Sequence, residues 1–345
     1  MKHKKIVFQS TPFRSGSGLL SAMLNSHSRV GTLDDSVKFF RFCYKHYLPL
    51  NEKNILKMLD DLAYRLLHRF NIKLDSKACF ETIRQYPLSH AMIYKTVLLH
   101  LFKDRPNDII MDKETLCWTK IPIFLEWFPD SKALLNIRDL RDVVVSFKKM
   151  TYAPKYDYLI ALFNVINAMD YALELQRTYP DRFYCVRYEN LKLTPESELK
   201  KVCSFLEIKY EDKMLNEENW TDYNGNKWEN KKGSAFYTSN DHLNPIERWR
   251  RLINEEELFL CEWIGKKQMQ GFKLTFESKK ISLKTFGRAV EMITSSELLC
   301  ECFKHWCESG RGVERYPLDP TNPKNWDKGY IHNSEAFNLS PSVPI

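Results

Sequence analysis

The chain has 345 residues, of which 43% are hydrophobic and 28% are charged, and its formal net charge is +8 at pH 7. This composition is typical of a globular protein with one large domain or two small ones, and it excludes a low-complexity chain. No apolar run is long enough to cross a membrane, and too few apolar residues follow the basic start to form a signal peptide. We therefore expect a cytoplasmic protein with no membrane partner.

The charge and the cysteine content narrow the class of ligand. The excess of positive charge suits an anionic small molecule, and no Lys/Arg-rich run interleaved with aromatic residues indicates a nucleic-acid partner. The nine cysteines are scattered without a Cys-x-x-Cys pair. We therefore expect reduced thiols and no metal site.

The first predicted unit is a strand, a glycine-containing loop and a helix. Ile6–Phe8 is a short apolar run typical of a buried strand, and the apolar period of Leu19–Leu24 predicts a helix that begins near Ser17. Glycines let successive backbone N–H groups converge on one point, and the start of a helix adds a positive dipole. The loop is therefore predicted to bind a phosphate-like anion through Arg14, Ser15, Gly16, Ser17 and Gly18.

The same loop argues against an ATP-dependent enzyme. A P-loop of that class needs Gly-Lys followed by Ser or Thr, because the lysine binds the β- and γ-phosphates and the hydroxyl binds Mg²⁺. Here Gly16 is followed by Ser17, and the only cation is Arg14, ahead of the glycines. The loop is expected to bind its anion without a metal.

Further elements follow in chain order. A polar loop at 28–36 contains Asp34 and Asp35, and the 3-to-4 apolar period within residues 51–103 predicts helices beside a sheet. Ile109–Met111 reads as a buried strand that ends in charge at Lys113. Ala133–Ile137 reads as another, running directly into Arg138 and a helix that carries Ser146. Such strand ends are where parallel sheets bind ligands.

Two of these segments carry a resemblance to a known family. Pro12–Leu20 (PFRSGSGLL) resembles the 5′-phosphosulfate loop of the sulfotransferases that use 3′-phosphoadenosine 5′-phosphosulfate (PAPS). The family's usual form is Pro-x-(Lys/Arg)-Ser-Gly-Thr-Thr, so Ser17 and Gly18 depart from it. Arg138–Phe147 (RDLRDVVVSF) resembles the segment that grips the 3′-phosphate, with Arg138 and Ser146 at its two contact positions.

Two later segments extend the resemblance. Phe183–Leu191 is predicted to be a strand and resembles the family segment whose tyrosine, here Tyr188, lies near the nucleotide. In the family a late basic loop with a glycine closes over the nucleotide. The matching candidates in this sequence are Lys231, Lys232, Gly233 and Ser234.

The resemblance implies a three-layer α/β fold over residues 1–280, with a central, mostly parallel sheet flanked by helices and a P-loop-like site. Residues 281–345 leave the resemblance and are predicted to form a C-terminal extension, with one amphipathic stretch at Leu283–Trp306 and an irregular tail. The extension is expected either to pack over the acceptor pocket or to pair with a second subunit in a homo-oligomer.

The implied reaction moves a sulfuryl group from PAPS to a hydroxyl or amine of a small-molecule acceptor and releases 3′-phosphoadenosine 5′-phosphate (PAP). Arg14 and Lys113 are expected to stabilise the leaving group. The family's Lys-x-His motif reads Lys113-Glu114-Thr115 here, so its histidine is missing. Another branch uses a carboxylate after the first helix, and Asp35 falls on that position.

The sequence offers several candidates for the general base. Partial burial beside Asp34 is expected to raise the pKa of Asp35, as suits a general base, and Asp34, Glu114 and His100 are alternatives. Two acidic residues on the acceptor side favour a cationic natural product as acceptor. Two other hypotheses stay open: a P-loop nucleotide kinase-like enzyme, and a PAP-binding protein that has lost catalysis.

Overall fold

The structure is a computed structural model that describes residues 4–150, 155–228, 245–278 and 280–315. Within these residues the centre of the fold is a five-stranded, fully parallel sheet in the order β2-β3-β1-β4-β5. Its strands are β1 (Lys5–Thr11), β2 (Val30–Asp34), β3 (Ile109–Thr115), β4 (Lys132–Ile137) and β5 (Phe183–Arg187).

Helices cover both faces of this sheet, so the predicted α/β fold is confirmed. In chain order they are α1 (Ser17–Asn25), α2 (Phe39–Phe42), α3 (Glu52–Phe70), α4 (Ser76–Ile83), α5 (His90–Leu101), α6 (Ile121–Trp127), α7 (Leu140–Met150), α8 (Ile160–Thr178), α9 (Tyr188–Leu193), α10 (Pro195–Phe205), α11 (Trp249–Leu252), α12 (Glu255–Ile264), α13 (Lys266–Gly271), α14 (Leu283–Ile293) and α15 (Glu297–Ser309).

The two faces form two apolar cores, because successive side chains of a strand point to opposite sides. Phe8 of β1 and Ile110 of β3 face α3, α5 and α8, whereas Val7 and Met111 face α1 and α10. Contrary to the expectation from the sequence, one helix in the described chain, α8 with the 3-10 turn before it (Asp157–Thr178), is long and apolar enough to cross a membrane. Its most apolar window is 83% buried, as expected of a core helix packed on the sheet.

The strand order creates a ligand crevice. The chain leaves β1 toward β2 on one side and leaves β4 toward β5 on the other, so β1 and β4 are neighbours whose connections run in opposite directions. Parallel α/β sheets bind ligands at the carboxyl ends of such a strand pair. Beneath the crevice the buried Gln9 donates a 2.7 Å hydrogen bond to Asn136, which ties the two strands together.

Three sequence-based assignments are wrong. The predicted polar loop at 28–36 contains β2, whose Val30 and Leu33 are buried against the sheet. The strand predicted over Phe183–Leu191 ends at Arg187, and α9 begins at Tyr188. The single amphipathic stretch of the extension is two helices, because the Ser296 hydroxyl accepts the Leu299 N–H and starts α15 separately from α14.

Candidate active site

The glycine loop approaches Tyr188 so closely that a side chain does not fit at Gly16. Gly16 has φ +79°, and a Cβ atom there would lie 2.1 Å from Cδ2 of Tyr188. Both the left-handed backbone and the contact require glycine. The loop then enters α1 at Ser17, as the sequence predicted, so the first N–H groups of the helix lie beside the Tyr188 ring.

The side chains predicted for the two phosphate sites meet at the crevice. Arg14 Nε donates a 2.9 Å hydrogen bond to Ser146 Oγ, and Arg138 Nη1 donates a 2.9 Å hydrogen bond to the Arg14 carbonyl. The Arg138 guanidinium lies over the Tyr188 ring, 4.6 Å from its centroid. Arg138 and Ser146 are both buried. The structure thus brings together four of the predicted nucleotide-site residues.

A third arginine adds positive charge at this point. Burial raises the pKa of Tyr188, and the charges of Arg138, Arg248 and Arg14 act in the opposite direction. Sequence reasoning missed Arg248 as a site residue. The sequence feature that could have indicated Arg248 is its position directly before Trp249. In the fold, this segment packs against the helix that contains Ser146.

Asp142 of α7 fixes that segment. Its carboxylate accepts the backbone N–H groups of Glu247 and Trp249, both at 2.9 Å. Burial raises the pKa of Asp142 to about 6, although the positive charge of Arg138 acts to lower it. Arg138, just before α7, also donates to the Pro245 carbonyl, so the segment is held at two points, by Arg138 and by Asp142.

Lys113 lies at the end of β3 between two carboxylates. Its Nζ lies 2.7 Å from Asp34 Oδ1 and donates a hydrogen bond to Asp35 Oδ2. Burial acts to lower the pKa of Lys113, but the charges of Asp34 and Asp35 outweigh it and raise the pKa above its ordinary value. Lys113 is therefore a fully charged cation at the carboxyl edge of the sheet.

The pKa expected for Asp35 is wrong. Burial acts to raise the pKa of Asp35, but Lys113 and Lys38 outweigh it and hold the pKa well below its usual range. The Asp35 carboxylate also accepts the backbone N–H and the hydroxyl of Thr115, both at 2.8 Å. A carboxylate with so many donors has little tendency to take up a proton.

Asp34 occupies a different environment. Its side chain is 39% exposed. A Cβ atom on Gly18 would lie 3.6 Å from Asp34 Oδ2, so this carboxylate lies beside the glycine loop. Asp34 therefore contacts Lys113 on one side and the start of α1 on the other, with access to solvent.

This geometry agrees with the comparison to known protein families. The model described as the sulfotransferase family matches residues 10–212, more than half of the chain. The chain belongs to the sulfotransferase family. The matched residues include the glycine loop, Asp35, Lys113, Arg138, Ser146 and Tyr188, and they exclude the C-terminal extension. The predicted family and enzyme class are confirmed.

Several solved structures are similar to this chain, and the first of them supports the shared fold. The sulfotransferase domain from the Synechococcus PCC 7002 olefin synthase is 19% identical, with a TM-score of 0.50, over 80% of this chain and 98% of that chain. The sulfotransferase domain from the curacin biosynthetic pathway is 18% identical, with a TM-score of 0.45, over 79% of this chain and 99% of that chain. Retinol dehydratase in a complex with retinol and PAP is 13% identical, with a TM-score of 0.43, over 79% of this chain and 83% of that chain.

The two remaining candidate bases of this sulfotransferase lie away from Lys113. Glu114 is buried and, by the alternation of β3, points to the opposite face of the sheet from Lys113. Burial raises the pKa of Glu114 to about 7. His100 bonds the Thr82 hydroxyl at 3.0 Å near the end of α5, toward the amino ends of the strands. His100 therefore lies outside the site.

Sequence reasoning also missed two buried cations that shape the Asp35 loop. Lys38 Nζ lies 3.4 Å from Asp35 Oδ1, and burial lowers the pKa of Lys38. Arg65 of α3 donates to the backbone carbonyls of Asp35, Ser36 and Val37. Arg65 is hidden in the sequence because it stands among the apolar residues of an amphipathic helix.

Four predicted nucleotide contacts, Lys231, Lys232, Gly233 and Ser234, lie outside the described residues. Among the residues that are described, no three His, Cys, Asp or Glu side chains are grouped so as to hold a metal ion.

Proposed function

We propose that this sulfotransferase transfers the sulfuryl group of PAPS to a hydroxyl or amine of a small-molecule acceptor and releases PAP. The observation that carries the proposal is the convergence of Arg14 and Arg138 on the Gly16–Tyr188 contact. Arg138 is buried and Arg14 is half-buried. Two cations held this close together favour a polyanionic ligand, and PAPS offers two separate anionic groups.

The donor half of the site follows from this arrangement. Arg14 and the loop residues Ser15–Gly18 would hold the 5′-phosphosulfate through a forked cation and the N–H groups at the start of α1. Arg138 and Ser146 would hold the 3′-phosphate. Tyr188 offers an aromatic face beside both groups, consistent with its predicted contact with the nucleotide.

Sulfuryl transfer needs charge stabilisation and a route for one proton. Negative charge develops on the oxygen that bridges sulfur and phosphorus when the S–O bond breaks. Arg14 and Lys113 are the cations that would stabilise it. Because Lys113 is charged and held by two carboxylates, it can act without being reoriented during the reaction.

We propose Asp34 rather than Asp35 as the group that takes the acceptor's proton. Asp35 is occupied by Lys113, Lys38 and Thr115, so its role would be to position Lys113. Asp34 combines partial solvent access with a place beside the glycine loop. A general base needs both reach to the acceptor and a free lone pair.

The acceptor is proposed as a small molecule, with no nucleic-acid or membrane partner, in a cytoplasmic protein. The prediction of a cationic acceptor rested on the carboxylates of Asp34 and Asp35. Asp34 forms a salt bridge with Lys113, and Asp35 forms one with Lys38. This pairing removes the local excess of negative charge. The site therefore gives a cationic acceptor no advantage over a neutral one, and the homo-oligomer stays a prediction.

The test is thermal unfolding with PAP, ATP and adenosine monophosphate, each with and without Mg²⁺. We expect PAP to stabilise the protein without Mg²⁺, and Arg138→Ala to abolish the stabilisation, because a ligand that binds only the folded state raises its stability. Stabilisation by Mg-ATP but not by PAP would support the kinase-like alternative. Binding of PAP without any turnover of PAPS would support the inactive PAP-binding protein.

A further inference from the structure

The last described residues, 310–315, lie along α8, and we call this segment the strap. Val313 N donates a 3.1 Å hydrogen bond to the Phe163 carbonyl. Arg315 and Asn164 exchange two hydrogen bonds: the Arg315 N–H donates to Asn164 Oδ1, and Asn164 Nδ2 donates to the Arg315 carbonyl, both at 2.7 Å. Both polar groups of the buried Asn164 side chain are therefore satisfied by the backbone of one residue, Arg315. This pairing fixes the position of the strap on α8.

Close packing fixes the strap further. A Cβ atom on Gly312 would lie 2.0 Å from the Phe163 carbonyl oxygen, so no other residue fits at this position without a shift. Asn167 Nδ2 donates a 2.9 Å hydrogen bond to the Gly312 carbonyl, while its Oδ1 accepts the Trp118 indole N–H at 2.8 Å. Asn167 thereby connects the strap to Trp118, in the loop after β3.

Glu314 makes a direct contact with the same loop. Its Oε2 accepts the backbone N–H of Thr119 at 3.2 Å. Burial raises the pKa of Glu314, and the Thr119 N–H and the positive charges of Arg41 and Lys120 act in the opposite direction. The half-buried carboxylate is held by the Thr119 backbone N–H, with the charges of Arg41 and Lys120 nearby.

The loop that Glu314 contacts, residues 116–120, borders the catalytic edge of the sheet. It follows the strand that carries Lys113. The Leu116 N–H donates to the Thr11 carbonyl at 2.9 Å, the Cys117 N–H donates to Ser10 Oγ at 3.1 Å, and Arg41 Nη2 donates to the Leu116 carbonyl at 3.1 Å. Loop 116–120 is thus fastened to the residues from which the glycine loop begins.

Loop 116–120 also lies on the side from which an acceptor must come. This step rests on the proposed function, in which Arg138, Ser146 and Tyr188 hold the nucleotide on the β4–β5 side. Transfer of a sulfuryl group in line requires the acceptor oxygen or nitrogen to approach from the side opposite the leaving oxygen. In this sheet the opposite side is the β3 side, where the loop lies.

We propose that the strap forms part of the acceptor side of the active site and that Glu314 is a positioning residue that holds loop 116–120 against it. Glu314 acts through the Thr119 N–H and touches no reacting atom. A segment beyond the family-matched residues 10–212 thus completes the acceptor side and keeps water away from the sulfuryl group. The extension is then a determinant of which acceptors enter.

The proposal is tested in the full chain with PAPS and water, without any added acceptor. In this reaction the water oxygen attacks sulfur, and the S–O bond to the 5′-phosphate breaks with its electron pair. Sulfate and PAP are released together with the two protons of the water, one of which the 5′-phosphate can take up. We expect Glu314→Ala to raise PAP release by about fivefold, because a loosened loop admits water. Calorimetric affinity for PAP should stay unchanged, because the donor half of the site is intact.

Two further variants make the result decisive. Glu314→Gln keeps an oxygen that can accept the Thr119 N–H and should restore the wild-type rate. If Glu314 acted only through its negative charge, this variant would not restore the rate. Glu308→Ala, on the exposed end of α15, is the matched control and should behave as the wild type. PAP release by Glu314→Ala equal to that of Glu308→Ala, or a parallel loss of PAP affinity, would overturn the proposal. If the wild-type chain itself fails to bind PAP, the proposed function is wrong instead.

Discussion

Arg14 Nε and Ser146 Oγ are joined by a 2.9 Å hydrogen bond. The side chain predicted to hold the 5′-phosphosulfate therefore contacts the side chain predicted to hold the 3′-phosphate. These residues stand at the ends of neighbouring parallel strands, one in the loop after β1 and one in the helix after β4. The two predicted phosphate sites are therefore parts of one hydrogen-bonded unit.

Ser146→Ala should weaken PAP binding by roughly ten- to a hundredfold, because a hydrogen bond to a charged group contributes about 1.5–3 kcal/mol. The variant removes both a phosphate donor and the partner of Arg14. Isothermal titration calorimetry with PAP measures the effect. Ser204→Ala, on the exposed face of α10, is the control and should leave the affinity unchanged. Equal affinities of the two variants would exclude Ser146 from the nucleotide site.

Gly16→Ala should lower the free energy of unfolding by about 1–3 kcal/mol, because it adds backbone strain and a clash with Tyr188. Gly225→Ala is a matched control: Gly225 has φ +81° but open space around its Cβ position, so it tests the strain alone. Urea unfolding compares the two. The clash predicts that Gly16→Ala costs more than Gly225→Ala and that adding Tyr188→Ala removes part of the difference.

Asp35→Asn should destabilise the protein by about 3 kcal/mol, because the buried Lys113 and Lys38 lose their shared carboxylate. The folded-state pKa of Asp35 lies below its ordinary value of 3.8, so its stabilisation is present above about pH 4 and is lost as the pH falls further. Urea unfolding from neutral pH down to about pH 3 should show a shallower acid decline in the variant.

Asp34→Asn distinguishes the role of Asp34 from that of the neighbouring Asp35. Asp34 is more exposed than Asp35, so we expect a smaller loss of stability. Because Asp34 is the proposed base, we expect a larger loss in the rate of PAPS turnover at saturating PAPS than in PAP affinity. If the variant keeps the wild-type rate, Asp34 is not the general base and another group takes the acceptor's proton.

Glu114→Gln should change how stability depends on pH in the neutral range. Burial raises the pKa of Glu114 from 4.5 to about 7, so the folded state holds more protons than the unfolded state between these values. Stability therefore falls as the pH rises from about 4.5 to about 7, by about 3 kcal/mol for this group alone. The variant should remove that part of the decline in urea unfolding.

The control for this experiment is Glu126→Gln, on the exposed face of α6, which should keep the wild-type slope. Asp142, whose pKa burial raises to about 6, contributes a decline of the same sign in all of these proteins. A Glu114→Gln variant with the full wild-type slope would show that Glu114 is ionised in the folded state.

The sequence alone determined the proposed donor half of the site, because its signals are local. A strand, a loop with Gly16 and a helix starting at Ser17 follow from residues adjacent in the chain, and Arg138 and Ser146 lie within one strand–helix unit. Short-range patterns of this kind are specified by backbone conformation and side-chain period. The family and the α/β fold followed from them.

Only the tertiary structure decided the charges of the acceptor half. Asp35 lies 78 positions from Lys113 in the sequence, yet their hydrogen bond reverses the pKa predicted for Asp35. The same is true of the strap, whose Glu314 reaches Thr119 across 195 positions. Electrostatic and hydrogen-bonding effects depend on distance and burial in space, and no local pattern in the chain encodes those distances.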